Sequence, residues 1–286
     1  MRVLSVVFIL FLLNSLDLQA QDNTLPPGLL WEDEAYMKLT VYADSTKSGG
    51  RRKVDMTPYC PTPGDQCHQL SCVGWAIVYN MTIRRAYQCR QKNRAWIDAR
   101  MLSPAFIYNK IKEGKTCDAG AYLTKGLALA QEKGVPLLTT MPYECDICSK
   151  TPNKQQEKEA ANYRITEIRR LYGLRDAAEA RIEKTQAALD NNEPVIVAIM
   201  VTPEFKTITK KDVPWIPNKK EVLGGNVEGH AIVVVGYDED KREFTLLNSY
   251  GTAWGEDGFL RMSFEDFGKQ ARYGVVAGIG WVDCGK

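Results

Sequence analysis

The chain has 286 residues, 44% apolar and 25% charged, which is ordinary globular composition with enough apolar side chain for one large domain or two lobes. Its formal charge is only +2, and basic and acidic residues are interspersed, so no basic stripe points to nucleic acid as a partner. Eight cysteines and just two histidines, His68 and His230, restrict where metal or nucleophile chemistry can sit.

The N-terminus carries Arg2, an apolar run over residues 3–13, and Leu18-Gln19-Ala20 before a polar stretch. One positive charge, a short apolar core and a small terminal residue predict a secretory signal over residues 1–20. The run falls short of the ~20 apolar residues that a membrane span requires. The expected product is secreted or periplasmic, with no membrane attachment after signal removal. Export makes cysteines 60, 67, 72, 89, 117, 145, 148 and 284 candidates for disulfides. If one is a free nucleophile, an odd number remains, so at most three bridges form and one further thiol stays unpaired. Cys145-x-x-Cys148 is the only zinc-like spacing, and with no second such pair no metal or other cofactor is expected.

Residues 21–53 read as an extended polar arm ending in Arg51-Arg52-Lys53, a run that suits either a processing site or a solvated loop. Pro63-Gly64-Asp65 then signals a turn, and Trp75, Ala76, Val78, Tyr79 and Ile83 follow at helical spacing. A helix is therefore predicted from 72 to about 89, which puts Cys72 at its first turn. Unpartnered N–H groups and the positive end of the helix dipole bias a thiol there toward thiolate, the form that attacks carbonyls. Ser103-Pro104 marks another helix start, and Leu123, Leu127, Leu129 and Ala130 make a further helix closed by Gly134. The charged stretch 152–191, with Ile165, Ile168, Leu171, Ile182, Ala187 and Leu189, reads as helical surface broken near Gly173.

The character then changes. Residues 194–201 are β-branched and apolar, which predicts a buried strand. A long loop over 203–228 precedes a strand from His230 to Tyr237, and a turn at Asp238-Glu239-Asp240 returns residues 244–248 beside it as a hairpin. Short strands are predicted around 258–262 and 275–277. Helices first and strands afterwards argue for an α+β fold of two lobes with a cleft between them. The hairpin brings Asn248 to His230. An amide oxygen there can fix the tautomer of the imidazole while its other nitrogen serves the thiol.

With Cys72, His230 and Asn248 in that order, the chain resembles the papain-like cysteine peptidases, whose Cys-His-Asn set it reproduces. Gln66 stands six before Cys72, and Cys72-Val73-Gly74-Trp75-Ala76 is similar to the bacterial form of the nucleophile motif. Cys117-Asp118-Ala119-Gly120 resembles the Cys-Asn-Gly-Gly turn, and Met141-Pro142-Tyr143 echoes Tyr-Pro-Tyr. Gly229-His230-Ala231 and the run from Asn248 to Gly255 resemble the histidine and asparagine motifs. The likeness covers roughly residues 54–284. It implies a helical lobe over about 54–150 and a β-barrel-like lobe over about 192–286, within a peptidase domain of residues 54–286.

The resemblance further implies Cys72 as nucleophile, His230 as its ion-pair partner and general acid, and Asn248 as the orienting group. The side chain of Gln66 and the N–H of Cys72 would receive the oxyanion. Gly120 would run beside a bound peptide, and Tyr122 and Gly229 would shape the pocket for the second residue before the scissile bond. Trp254 would shelter the His–Asn contact, and Tyr250 stands where the family has tryptophan. His68 is expected at the surface.

Departures from the family pattern are plain. Gln69 replaces the usual cysteine three before the nucleophile, and a Cys67–Cys117 bridge is the expected substitute. The interval from Cys72 to His230 exceeds the ~130–150 residues of the family signature. The arm is too short for the usual inhibitory pro-domain, so it is either a brief plug or the enzyme has no zymogen control. The implied activity is a monomeric endopeptidase acting on peptide or protein substrates. A Cys-His hydrolase of cell-wall peptides and a catalytically silent peptide-binding homologue are the alternatives.

Overall fold

The structure is a computed structural model that describes residues 28–43, 50–280 and 284–285. The expected signal peptide and residues 21–27 of the arm lie outside these.

The arm is not simply extended. It forms strand β1 (Leu29–Leu30), a short helix α1 (Asp33–Met37) and strand β2 (Thr40–Val41). Strand β3 (Lys53–Asp55) follows and pairs antiparallel with a long C-terminal strand, so the Arg-Arg-Lys run ends inside a sheet rather than in an open loop. Helix α2 (Cys72–Gln88) begins at the residue expected from the sequence. Fourteen of its 17 residues are buried, all round its circumference, as in a helix packed on several sides at once. The Asn80 amide donates to the Pro194 carbonyl at 2.7 Å and ties this helix to the strands.

Helices α3 (Arg94–Asp98) and α4 (Pro104–Ile111), strand β4 (Ala121–Tyr122) and helix α5 (Leu123–Glu132) complete the helical lobe. Ser103 caps α4 by accepting from the Phe106 N–H, with Pro104 at the first helical position where its missing donor costs nothing.

The stretch 152–191 departs from expectation. It holds helix α6 (Lys154–Ala160), strand β5 (Ile165–Arg170) and helix α7 (Ala178–Asp190). Ile165 and Ile168 suggested a helix by their spacing, but β5 pairs with two strands, β2 on one side and β10 (Ala271–Ile279) on the other. Tertiary pairing overrides a weak local period.

Strands β6 (Val195–Val201), β7 (Glu228–Asp238), β8 (Glu243–Leu247) and β9 (Phe259–Ser263) match the expected β half. Between β6 and β7 the predicted loop contains a helix, α8 (Lys219–Gly224), and α9 (Phe264–Gln270) joins β9 to β10. The sheet runs β2-β5-β10-β6-β7-β8-β9, with β3 added on β7. No pairing among the described residues joins β2 to β9, so the C-terminal lobe is a long curved sheet and not a closed barrel. Helix α2 packs on β6, β7 and β10. The head of α2 therefore meets the start of β7, and the residues singled out from the sequence converge there.

Candidate active site

Cys72 opens α2, and Ser71 before it makes no capping hydrogen bond. His230 sits on β7 opposite Ile199 of β6. The β7–β8 hairpin ends at Leu247, so Asn248 emerges beside the histidine, and its Oδ1 lies 2.7 Å from His230 Nε2. That contact leaves Nδ1 as the other ring nitrogen, which is buried and makes no hydrogen bond in the structure. Phe205 and Tyr250 wall the imidazole, with ring centroids 5.3 and 5.1 Å away.

Trp254 does not stack on the histidine directly. It packs against Phe205 at 5.1 Å and Tyr250 at 5.7 Å, and its indole N–H donates to the Phe205 carbonyl at 2.9 Å. Phe205 was not anticipated. It lies in the long loop after β6, where only an aromatic in a segment bordering the cleft could have signalled it.

Gln66 is reached through backbone pairing. Its N–H donates to the Ser249 carbonyl at 2.8 Å, one residue beyond Asn248, while Gly251 N–H donates to Gly64. The amide orientation follows from its partners: Ser249 Oγ donates to Oε1 at 2.7 Å, so Nε2 points the other way, where it donates to the Gln69 carbonyl at 2.8 Å.

Cys72 and His230 are both 0% exposed, and the arm lies against them, with the Gly28 N–H at the Cys72 thiol and Leu29 against Gly229, the residue before His230. Strand β1 pairs parallel with β4, Leu29 opposite Ala121 and Leu30 opposite Tyr122. The Gly28 carbonyl accepts from Ala121 N–H at 2.8 Å. Gly120 and Gly229 face this strand from opposite sides. A Cβ on Gly120 would stand 3.0 Å from Leu30, and one on Gly229 only 2.5 Å from the Leu29 carbonyl oxygen. At Gly229 the missing side chain is what lets the extended backbone of Leu29 approach, at Gly120 a Cβ would crowd the Leu30 side chain, and the chain that approaches is the protein's own. His68 is exposed.

Burial also decides protonation. It pushes the Cys72 thiol up to about 11, against the N–H groups of Ala231, Gly28, Val73 and Cys72 itself, which favour the thiolate. The helix-terminal bias read from the sequence is present but loses to desolvation. Burial likewise lowers His230 to about 4, with the Asn248 contact opposing. Under the arm, burial favours the neutral thiol and the neutral imidazole over their charged forms.

The expected Cys67–Cys117 bridge is not formed. Cys67 joins Cys145, Cys117 joins Cys148, and Cys89 joins Cys284. The 145–148 turn lies between the two segments and takes one bridge from each, so its cysteines serve as disulfides rather than metal ligands. Cys60 and Cys72 remain free and buried. Among the described residues no group of three or more metal-ligating side chains is clustered.

Comparison with known proteins establishes the family. The family model described as papain family cysteine protease matches residues 61–275, so the chain belongs to the papain family and is a cysteine-type peptidase. An uncharacterized peptidase C1-like protein of Acanthamoeba polyphaga mimivirus is 26% identical over 75% of this chain and 68% of its own length. Cathepsin L of Sarcophaga peregrina is 35% identical, but over only 32% of this chain and 26% of that protein. Among solved structures, xylellain, a cysteine protease from Xylella fastidiosa, superposes with a TM-score of 0.69. It is 24% identical and covers 89% of this chain and 95% of its own. A digestive procathepsin L 3 of Tenebrio molitor larval midgut gives a TM-score of 0.61 at 18% identity, covering 84% and 73%.

Proposed function

We propose that the protein is an exported cysteine endopeptidase that residues 28–31 hold closed until they leave the cleft. The observation that carries the catalytic part is the buried 2.7 Å contact between His230 Nε2 and Asn248 Oδ1, next in sequence to the Ala231 N–H that faces the thiol of Cys72, a free cysteine at a helix N-terminus. Once the arm withdraws, water and substrate reach the pair, the desolvation that kept it neutral is relieved, and the Cys72 proton passes to His230. The thiolate attacks the scissile carbonyl. Gln66 Nε2 and the Cys72 N–H receive the oxyanion, and the imidazolium protonates the leaving amine. Water activated by His230 then hydrolyses the thioester.

Gly120, Tyr122 and Gly229 bind the substrate where they now hold Leu29 and Leu30, so the pocket beside Gly229 takes a leucine-sized apolar side chain. Tyr250, with Trp254 behind it, keeps water from the His230–Asn248 contact. The three disulfides suit the oxidising compartment implied by the N-terminal sequence. The test is turnover of a peptidyl-amide dye. Cys72→Ala is inactive yet folded, and activity retained in that variant overturns the assignment.

A further inference from the structure

We propose that Tyr143 is a positioning residue for the oxyanion hole, holding the Gln66 donor in register with the head of α2. The proposal rests on the reading of Gln66 as an oxyanion donor.

The two donors assigned to the oxyanion come from different segments, the loop at Gln66 and the first turn of α2. The Tyr143 hydroxyl touches the backbone of one and the side chain next to the other. It donates to the Gln66 carbonyl at 2.8 Å, and it lies 2.7 Å from Ser71 Oγ, on the residue before Cys72. A phenol has one proton, so once it is given to Gln66 the Ser71 hydroxyl must be the donor in the second bond. The chain runs Ser71 O–H to Tyr143 O–H to Gln66 C=O. Ser71 is fully buried and its hydroxyl caps nothing on α2, so this bond is the use the structure makes of it.

The ring is itself fixed. Trp75, one turn along α2, packs edge-on at 5.0 Å. The segment that follows is joined to the Gln66 loop by Cys67–Cys145 and to the 117–120 turn by Cys117–Cys148. Gln69, standing where the family usually has a cysteine, donates from Nε2 to the Glu144 and Cys145 carbonyls, while its own carbonyl accepts from Gln66 Nε2. Gln66 is thus held at its backbone carbonyl by Tyr143, at its side-chain Oε1 by Ser249 and at Nε2 by the Gln69 carbonyl. Burial pushes the Tyr143 hydroxyl up, so it stays a donor through any working pH. A donor preorganised this way spends nothing on reorientation as charge develops, and a small error in its position is costly.

Tyr143→Phe keeps the ring and removes the link. In the full chain it should lower kcat on the order of 5- to 10-fold, the worth of about one hydrogen bond, with KM nearly unchanged. Affinity for a peptide aldehyde, whose adduct carries the tetrahedral oxygen, should fall in parallel. The iodoacetamide rate at Cys72, which needs no oxyanion hole, should stay within twofold. Added to Gln66→Ala, the substitution should cost almost nothing further. Ser71→Ala, which leaves the aromatic packing intact, should show the same pattern at smaller size.

Turnover and aldehyde affinity both within twofold of the parent overturn the proposal. So does alkylation that slows as much as turnover, because the effect would then lie in the nucleophile or the fold. Full multiplicativity with Gln66→Ala also overturns it. Unchanged turnover in Gln66→Ala alone overturns the donor reading beneath the proposal, and the proposal with it; activity surviving in Cys72→Ala is the separate signature of a failed nucleophile assignment.

Discussion

At the scale of single residues, the candidate active site is a set of contacts whose chemistry depends on hydration. His230 titrates near 4 while buried, against 6.5 for a hydrated imidazole. Between those values the unfolded chain binds a proton that the folded, closed chain does not, so the fold loses stability as pH falls from about 6.5 toward 4. His230 imidazole resonances in the intact chain should therefore stay in their neutral positions from pH 8 to 5 and begin to move only near 4. A midpoint at 6.5 would mean that the ring is already hydrated. Gln66→Ala should cost on the order of 10²-fold in turnover, the range for one oxyanion donor, while Asn248→Ala should cost less than loss of the nucleophile. Cys72, His230, Asn248 and Gln66 could be singled out from the sequence because each sits in a short motif that resembles the family's. Phe205, Ser249 and the hydroxyl of Tyr143 could not. Their partners lie on other loops, and no local pattern announces which loop will arrive.

At the scale of elements, the arm does two separable jobs. Strand β1 fills the cleft, while the residues after it belong to the fold. Glu32 accepts from Thr124 N–H and Oγ1, both at 2.6 Å, at the start of α5, a helix whose N-cap residue Tyr122 offers no side-chain cap. Asp33 pairs with Arg272 and accepts from the Tyr273 hydroxyl, which with the Arg272 bond holds its carboxyl below the usual range. Tyr36 is fully buried, stacks on Tyr273 at 4.3 Å and donates to the Tyr172 carbonyl at 2.6 Å. Two substitutions should therefore behave oppositely. Leu29→Arg should raise turnover severalfold with little change in Tm, since it ejects only the plug. Tyr36→Ala should lower stability by about 3–5 kcal/mol, the usual loss for truncating a buried aromatic, as read by denaturant unfolding. The predicted helix starts at Cys72 and Pro104, and the helix read through Leu123 to Ala130, match because caps, turns and apolar spacing are local. Strand β5 was misread because its reason is lateral: β2 and β10 supply hydrogen bonds that no window of sequence contains. The Ser263 cap on α9 was there to be read, with Phe264 and Phe267 buried behind it.

For the whole molecule, the α+β order of helices then strands gave the two lobes and the cleft, but not the sheet's open ends nor which cysteines meet. Pairing of cysteines far apart in sequence depends on how the lobes close, which spacing alone leaves open. Cys89–Cys284 links the residue after α2 to the C-terminal end of the chain across a sequence separation of 195. Its loss in Cys284→Ser should cost about 2–5 kcal/mol while leaving kcat unchanged, because neither cysteine lies near the cleft-facing end of α2. Taken together, the molecule is a papain-family peptidase whose own N-terminal strand lies where substrate is expected, with Cys72 and His230, the proposed nucleophile and base, held toward their neutral forms by burial. The most direct test is the rate at which an epoxysuccinyl probe labels the intact chain and its Leu29→Arg variant, with peptide mapping of the product. Slow labelling of the intact chain and fast labelling of the variant, both at Cys72 alone, is the predicted result. Equal rates in the two proteins, or modification mapped to Cys60 or to several cysteines, would contradict a closed Cys72 site.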